Sequence, residues 1–267
     1  MIAEIISVGT ELLLGNILNT NAQYLSKHLA DLGIEVHFQT VVGDNPARIM
    51  AAVETAYTRA DTVIMTGGLG PTKDDITKEM LAEYFHRKLV MDEQALAMLE
   101  NLLTAAGRQS LKDSLAKQAL VPENSLVLYN HHGTAPGIIM EYDGRTCILL
   151  PGPPKEMEPM FAEYCMDYLR ARSHRVLVSV NIKMLSIEEA PRLAVGEAPV
   201  ADALDELLDQ ENPTVATYAK DDGCLIRVTA AAADHDAAMG MIEPVIAEIR
   251  HRLGDEYIRY IREELPE

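Results

Sequence analysis

Tryptophan is absent from this 267-residue chain and aromatic residues make up only 5% of it, which removes the stacking platform on which proteins hold the bases of a nucleic acid. Positive charge is scarce too. Lysine and arginine total 23 against 41 aspartates and glutamates, a formal net charge of −18. A DNA or RNA binder presents a basic face that releases counterions, so nucleic acid is not an expected partner and an anionic ligand needs local help. The three cysteines, Cys147, Cys165 and Cys224, are widely spaced, with no CxxC and no histidine pattern beside them. That argues against a disulfide framework or a zinc site and for reduced thiols in the cytoplasm. No apolar run approaches the roughly 18 residues of a spanning helix, so no membrane association is expected. The N-terminal run IAEIISV is broken by Glu4 and has no basic lead, so it reads as a first strand and not as a signal peptide.

With 48% hydrophobic residues, the chain has material for one large domain and a smaller one. Residues 2–8 form a strand that ends at Gly9, Thr10 and Glu11. Asn19, Thr20 and Asn21 are cap formers just before the helical stripe Leu25, Leu29 and Leu32, which stops at Gly33. A second strand, 34–42, delivers Gly43, Asp44 and Asn45, and Pro46 opens a helix carrying Ile49, Val53 and Tyr57. The third unit is VIMTGGLGPTKDDITKE, residues 63–79: an apolar run suited to a strand buried on both faces, then a glycine turn, then a helix expected from about Asp75. Three consecutive βα units imply an α/β fold, a three-layer αβα arrangement around a mostly parallel sheet. In such sheets ligands bind beyond the carboxyl ends of the strands, so the loops bearing Thr10, Asp44 and Gly67 to Asp75 should converge on one crevice.

The glycine turn carries the functional argument. Gly67, Gly68 and Gly70 leave room for a ligand and accept positive φ, Pro71 stiffens the turn after them, and the N–H groups of the turn and the helix start can face an anion. GGLGPTKDD matches neither a P-loop nor a dinucleotide fingerprint. It supplies Asp74 and Asp75 instead, and two carboxylates beside a phosphate ester call for a divalent cation between them. The competing reading is ordinary capping, with Thr72 and Asp75 resembling a capping box.

Farther on, 92–106 and 111–119 read as helices and 126–128 as a strand. NHHGTAPG (130–137) is a shaped loop in which His131 or His132 could serve as a general acid or phosphate contact, although loop histidines are more often solvated. Residues 138–142 and 145–150 flank Asp143-Gly144 as a hairpin. LPGPPKEM (150–157) forms a proline-stiffened rim leading into a helix over 154–170, with Glu156 in its first turn either as a dipole partner or as a further metal-facing carboxylate. A break at 171–174 divides the chain into 1–171 and 172–267. In the second part a strand (175–183), a helix (200–208), a hairpin around Asp221-Asp222-Gly223 and a long helix (236–253) make a small α+β domain. From residue 173 on there are nineteen acids against nine bases, again unfavourable for nucleic acid.

Five ordered segments, GTELLLGNILNTNAQYL (9–25), VGDN (42–45), TGGLGPTKDDITKE (66–79), GTAPG (133–137) and LPGPPKEM (150–157), resemble the competence/damage-inducible protein A family, CinA, whose first domain is similar to the molybdopterin-binding fold of MogA and MoaB. NPTVATYAKDDGCLIRVTA (212–230) resembles the family's KH-like domain, although VGEAPV (195–200) has Ala198 where the family usually has serine. The resemblance implies an ADP-ribose pyrophosphatase that uses a divalent metal (Mg, Mn or Co) to hydrolyse its nucleotide substrate to AMP and ribose 5-phosphate, and a homodimer. Many members carry a further nicotinamide-nucleotide amidase domain, an activity expected to be absent from a chain ending just after the KH-like unit. The expected catalytic residues are Asp44, Asp75 and Asp74, with Asp44, Asp75 and Glu156 at the metal. Gly67, Gly68, Gly70, Pro71, Thr72 and Gly152 would surround the diphosphate, and Asn19, Asn21 and Thr134 would read hydroxyls or a phosphate. The same fold also hosts pterin binding and adenylyl transfer in molybdenum cofactor synthesis, and fold does not fix function. A non-catalytic partner in a DNA-uptake or damage response is the third alternative.

Overall fold

The computed structural model describes residues 1–107, 115–173, 175–186, 188–190 and 196–264. They divide into two compact units, Met1–Ala30 with Ile34–Arg172, and Asp31–Gly33 with Ser173–Glu267.

In the first unit the strands are β1 (Ile2–Val8), β2 (Glu35–Val42), β3 (Thr62–Thr66), β4 (Leu89–Met91), β5 (Leu120–Pro122), β6 (Leu126–Leu128), β7 (Gly137–Tyr142) and β8 (Arg145–Leu150). Six of them form one sheet in the order β2-β1-β3-β8-β7-β6, and β4 and β5 pair separately. β1, β2, β3 and β8 run parallel, β7 pairs antiparallel with β8, and β6 at the edge pairs antiparallel with β7. β3 lies in the middle because all five of its residues tolerate burial on both faces, whereas β2, with an exposed central stretch, is an edge. Register then sets the site. Val8 pairs with Val42, Ser7 with Thr66, and Thr66 with Leu150, so the segments after β1, β2, β3 and β8 all leave the same edge of the sheet. The hairpin between β7 and β8 turns through Asp143 and Gly144, both at positive φ, the backbone that a two-residue Asp-Gly connection favours.

Several boundaries differ from expectation. The helix after the glycine turn spans Thr77–Tyr84, beginning two residues beyond Asp75, because the Thr77 N–H donates to Gly68 O at 3.1 Å and closes the loop first. Residues 111–114 of the expected helix lie outside the described residues, and Ala116–Ala119 is a 3-10 turn. The helix beginning at Pro154 continues to Arg170 but passes through a π turn at Phe161–Cys165, just after Pro159, whose missing N–H interrupts the ladder.

The second unit is a four-stranded antiparallel sheet of β9 (Val176–Met184), β10 (Thr214–Lys220), β11 (Gly223–Ala232) and β12 (Ile258–Glu263), ordered β10-β11-β9-β12. The helix His235–Leu253 covers it with Ala238, Ile242, Val245 and Ile249, and Asp234 caps it by accepting from the Ala237 N–H at 2.8 Å. Short β4 and β5 and the edge strand β12 were not anticipated. All three cysteines are buried and unpaired, and burial pushes the Cys147 and Cys165 thiols up to about 12, so neither is a nucleophile at neutral pH. Among the described residues no helix is long and apolar enough to cross a membrane.

Candidate functional site

The strand-end loops of the first unit enclose a cleft of about 610 Å³. Each acid, glycine and polar residue expected at the metal or the substrate lines it: Asn19 from the loop after β1 and Asn21 from the first turn of the helix that follows; Asp44 after β2; Gly67, Gly68, Gly70, Pro71, Thr72, Asp74 and Asp75 after β3; Thr134 and Gly152 from later loops; and Glu156 from the first turn of the helix that begins at Pro154. Glu11 and Gln118 are there as well. His131 and His132 are exposed and do not line this cleft.

Asp44 and Asp75 are held in the same way. Asp44 Oδ2 accepts from the Thr10 N–H at 2.9 Å and from Thr10 Oγ1 at 2.8 Å. Asp75 Oδ2 accepts from the Thr72 N–H at 2.8 Å and from Thr72 Oγ1 at 2.6 Å. The Oδ1 atoms accept no hydrogen bond among the described residues. The Asp75 carboxylate lies so close to the Gly70 backbone that a Cβ there would come within 2.5 Å of Oδ2. Gly70 is therefore required for a close approach. Gly67 is required for another reason: at φ 94° its Cβ would lie 2.2 Å from Val8 O.

The anion cradle is narrower than the sequence implies. The Gly67 N–H donates to Leu150 O at 3.0 Å, the Thr72 N–H is taken by Asp75, and the first helical N–H is taken by Gly68 O. Gly68, Leu69 and Gly70 keep N–H groups without a hydrogen bond among the described residues. No residue of the helix Thr77–Tyr84 lines the cleft, so the helix start is behind the turn and does not face a ligand.

Asn19, Asn21 and Glu156 each make structural bonds while lining the cleft. Asn19 accepts from the Ala22 N–H at 3.2 Å and exchanges bonds with Ser7 Oγ, so it caps the helix Thr20–Asp31. Asn21 donates to Gly152 O at 2.7 Å, fixing the proline rim, while its buried Oδ1 has no partner among the described residues. Glu156 Oε2 accepts from Asn130 Nδ2 at 2.8 Å and packs against Gly133. Asp44, Asp75 and Glu156 share the cleft, but no group of three or more His, Cys, Asp or Glu able to hold a metal ion occurs among the described residues.

Sequence reading missed a brace behind the glycine turn. Lys117 Nζ donates to the carbonyls of Thr72, at 3.3 Å, and Asp75, and pairs with Glu79 at 3.3 Å. Gln118 Nε2 donates to Leu69 O at 3.4 Å. Lys78, buried in the helix below, donates to Lys117 O at 2.8 Å and Gln118 O at 3.4 Å. Three side chains thus bond five backbone carbonyls, two of which, Thr72 O and Lys117 O, also accept from the Asp75 and Leu120 N–H groups.

Comparison with known proteins agrees with this architecture. Residues 4–171 match a family described as "Probable molybdopterin binding domain", and 191–258 match one described as "Damage-inducible protein CinA KH domain". A CinA-like protein of Dictyoglomus turgidum is 50% identical over 256 residues, covering 96% of this chain and 60% of that protein. A CinA-like protein of Kosmotoga olearia is 50% identical over 266 residues, covering 99% and 62%. The chain therefore spans about three fifths of the length of these curated relatives. The crystal structure of CinA from Thermoplasma acidophilum superposes with a TM-score of 0.57 at 38% identity, over 62% of this chain and 96% of that one. A molybdopterin-binding fold, a CinA KH domain and half-identical CinA-like relatives leave one assignment: the chain belongs to the CinA family.

Proposed function

We propose that the cleft binds a nucleotide diphosphate of the ADP-ribose class and hydrolyses it to AMP and ribose 5-phosphate. The observation that supports this reading is the pairing of Asp44 and Asp75, delivered by two different strand-end loops, with the unbonded N–H groups of Gly68, Leu69 and Gly70 in a single cleft. The donor set tests what cation would fit. Two carboxylates with one unbonded oxygen each do not enclose an ion. They would suit a hard divalent cation such as magnesium, which takes oxygen ligands and needs only one or two carboxylates from the protein. Asp44 and Asp75 would hold it, and Glu156, with one oxygen on Asn130, would sit beyond them. Bound there, such a cation offsets diphosphate charge and lowers the pKa of a coordinated water.

The residues of the chain supply the rest. Water attacks one phosphorus and gives up a proton to the solvent, the bond from that phosphorus to the bridging oxygen breaks, and the bridging oxygen leaves with the second phosphate. The N–H groups of Gly68, Leu69 and Gly70 stabilise the equatorial oxygens, where charge spreads during phosphoryl transfer. Asp44 and Asp75 are kept in place by Thr10 and Thr72, so no reorganisation is needed as the reaction proceeds. Incubation of the chain with ADP-ribose and Mg²⁺, Mn²⁺ or Co²⁺, followed by nucleotide separation, should release AMP. No AMP above the blank with any of the three metals overturns the reading.

The description of the family matched over residues 4–171 favours a second reading, binding of a molybdopterin-type ligand or adenylyl transfer to it. Molybdopterin binding together with indifference to ADP-ribose would select it.

A further inference from the structure

The segment between β1 and the helix Thr20–Asp31 carries apolar side chains that the chemistry above does not use. Leu13, Leu14, Ile17 and Leu18 are 54, 70, 53 and 85% exposed. Their exposure is built in. Leu14 N–H donates to Thr10 O at 3.1 Å, Gly15 N–H to Leu12 O at 3.1 Å, Asn16 N–H to Glu11 O at 3.0 Å and Thr20 N–H to Leu18 O at 3.0 Å. The backbone is thus folded upon itself, and the aliphatic groups are held outward. Four large aliphatic side chains kept from the core within six residues mark a contact surface.

Leu12, Ile17 and Leu18 also line the cleft that contains the glycine turn, Asp44 and Asp75. One cavity therefore combines a part lined by the glycine turn and carboxylates with an aliphatic lip, and among the described residues no aromatic side chain lines it. A nucleotide has the same division, anionic phosphates at one end and a flat ring of low charge at the other. Pockets for such ligands are mostly apolar with a few placed polar groups. We propose that the lip of residues 12–18 is the nucleobase subsite, in which Ile17 and Leu18 pack on the face of the base in place of an aromatic stack. This rests on the nucleotide reading of the cleft. The continuity of lip and cradle in one cavity favours a base over a second copy of the chain as the occupant.

The test compares two probes, ADP and inorganic diphosphate, each titrated calorimetrically with Mg²⁺ into the wild-type chain, Ile17→Ser and Leu18→Ser. Both positions are exposed, so neither change threatens folding. Each substitution should weaken ADP by about fivefold to tenfold, the loss of part of an apolar contact, and leave diphosphate within about twofold. Equal weakening of both probes, or of neither, overturns the subsite. So does a wild-type affinity for ADP no greater than for diphosphate. Wild-type chain that binds neither probe overturns the nucleotide reading itself, and the subsite with it. Light scattering on the same samples covers the remaining occupant: a shift to a smaller species in Leu18→Ser with ADP affinity unchanged assigns the lip to a second copy and overturns the proposal.

Discussion

The first unit contains the same small device twice. In each, one oxygen of an aspartate accepts from both the N–H and the hydroxyl of a threonine. Thr10 and Asp44 are 34 positions apart and join the loops after β1 and β2. Thr72 and Asp75 are three positions apart and close a single turn. The first device is tied to the sheet at both ends, so it places its carboxylate by itself. The second fixes only the shape of a turn. It is the second that has Lys117, Gln118 and Lys78 gathered behind it. A local bond shapes a loop, and a distant one places it.

Asparagine at either aspartate is the strongest way to break this equivalence, because it keeps the size and the threonine bonds but removes the charge. Asp44→Asn and Asp75→Asn should each lower turnover of ADP-ribose by at least roughly a hundredfold, the scale expected when a metal-holding carboxylate is lost. A variant that stays active shows that its aspartate is a turn brace and nothing more. Removing the brace comes next. Lys117→Met should lower kcat about tenfold with KM changed less than about threefold, since a misplaced acid reduces rate more than binding, and Lys117→Arg should restore most of it. Equal effects on kcat and KM, or no recovery with arginine, would mean that Lys117 supports the loop without positioning Asp75. The threonines give a finer comparison. Thr10→Val removes two of the three bonds between Thr10 and Asp44, the one its hydroxyl donates to the carboxylate and the longer one, 3.4 Å, that it accepts from the Asp44 N–H, and should cost about tenfold in kcat/KM, the scale of one hydrogen bond to a charged group. Thr72→Val should cost about threefold, because Lys117 still grips the turn. The reverse order would locate the placing contact of Asp75 in Thr72.

Legibility in the sequence divides along the same line. Convergence of the loops was legible because apolar runs, glycines and caps define βα units, and parallel topology sends their carboxyl ends to one edge. The Thr72 and Asp75 pair was legible too, as a spacing of three. Its attachment was not: the pair closes the turn, and the helix starts later at Thr77. The illegible parts are hydrogen bonds between groups far apart in the chain. No pattern in the chain announces that Lys117 reaches the carbonyls of Thr72 and Asp75, that Gly67 donates to Leu150, or that Asn130 holds Glu156. Asn19 was legible as a cap former, and it caps; nothing local showed that Ser7 would occupy it as well. β12 escaped because IRYIRE is mostly exposed along an edge, so charge replaces the apolar alternation that marks a half-buried strand.

Lys78, the deepest part of the brace, bears on stability and not on turnover. It is 4% exposed. Burial, the largest influence, lowers its pKa to about 8; Lys117 pushes the same way and Glu79 opposes. An unfolded chain holds a lysine at the ordinary value near 10.4. Between about pH 8 and that value the unfolded state keeps a proton that the folded state has released, so the contribution of Lys78 to stability rises with pH through this window. Below pH 8 both states are protonated and the charged, buried amine contributes least. Compared with Lys78→Met, the wild-type chain should therefore gain stability from pH 7.5 to pH 10, by at most about 3 kcal/mol. Melting temperatures of the two proteins across that range give the difference directly, since other titrating groups are common to both. A flat difference would mean that the ammonium reaches water in the folded state, leaving Lys117 and Gln118 alone to hold the turn that carries Asp75.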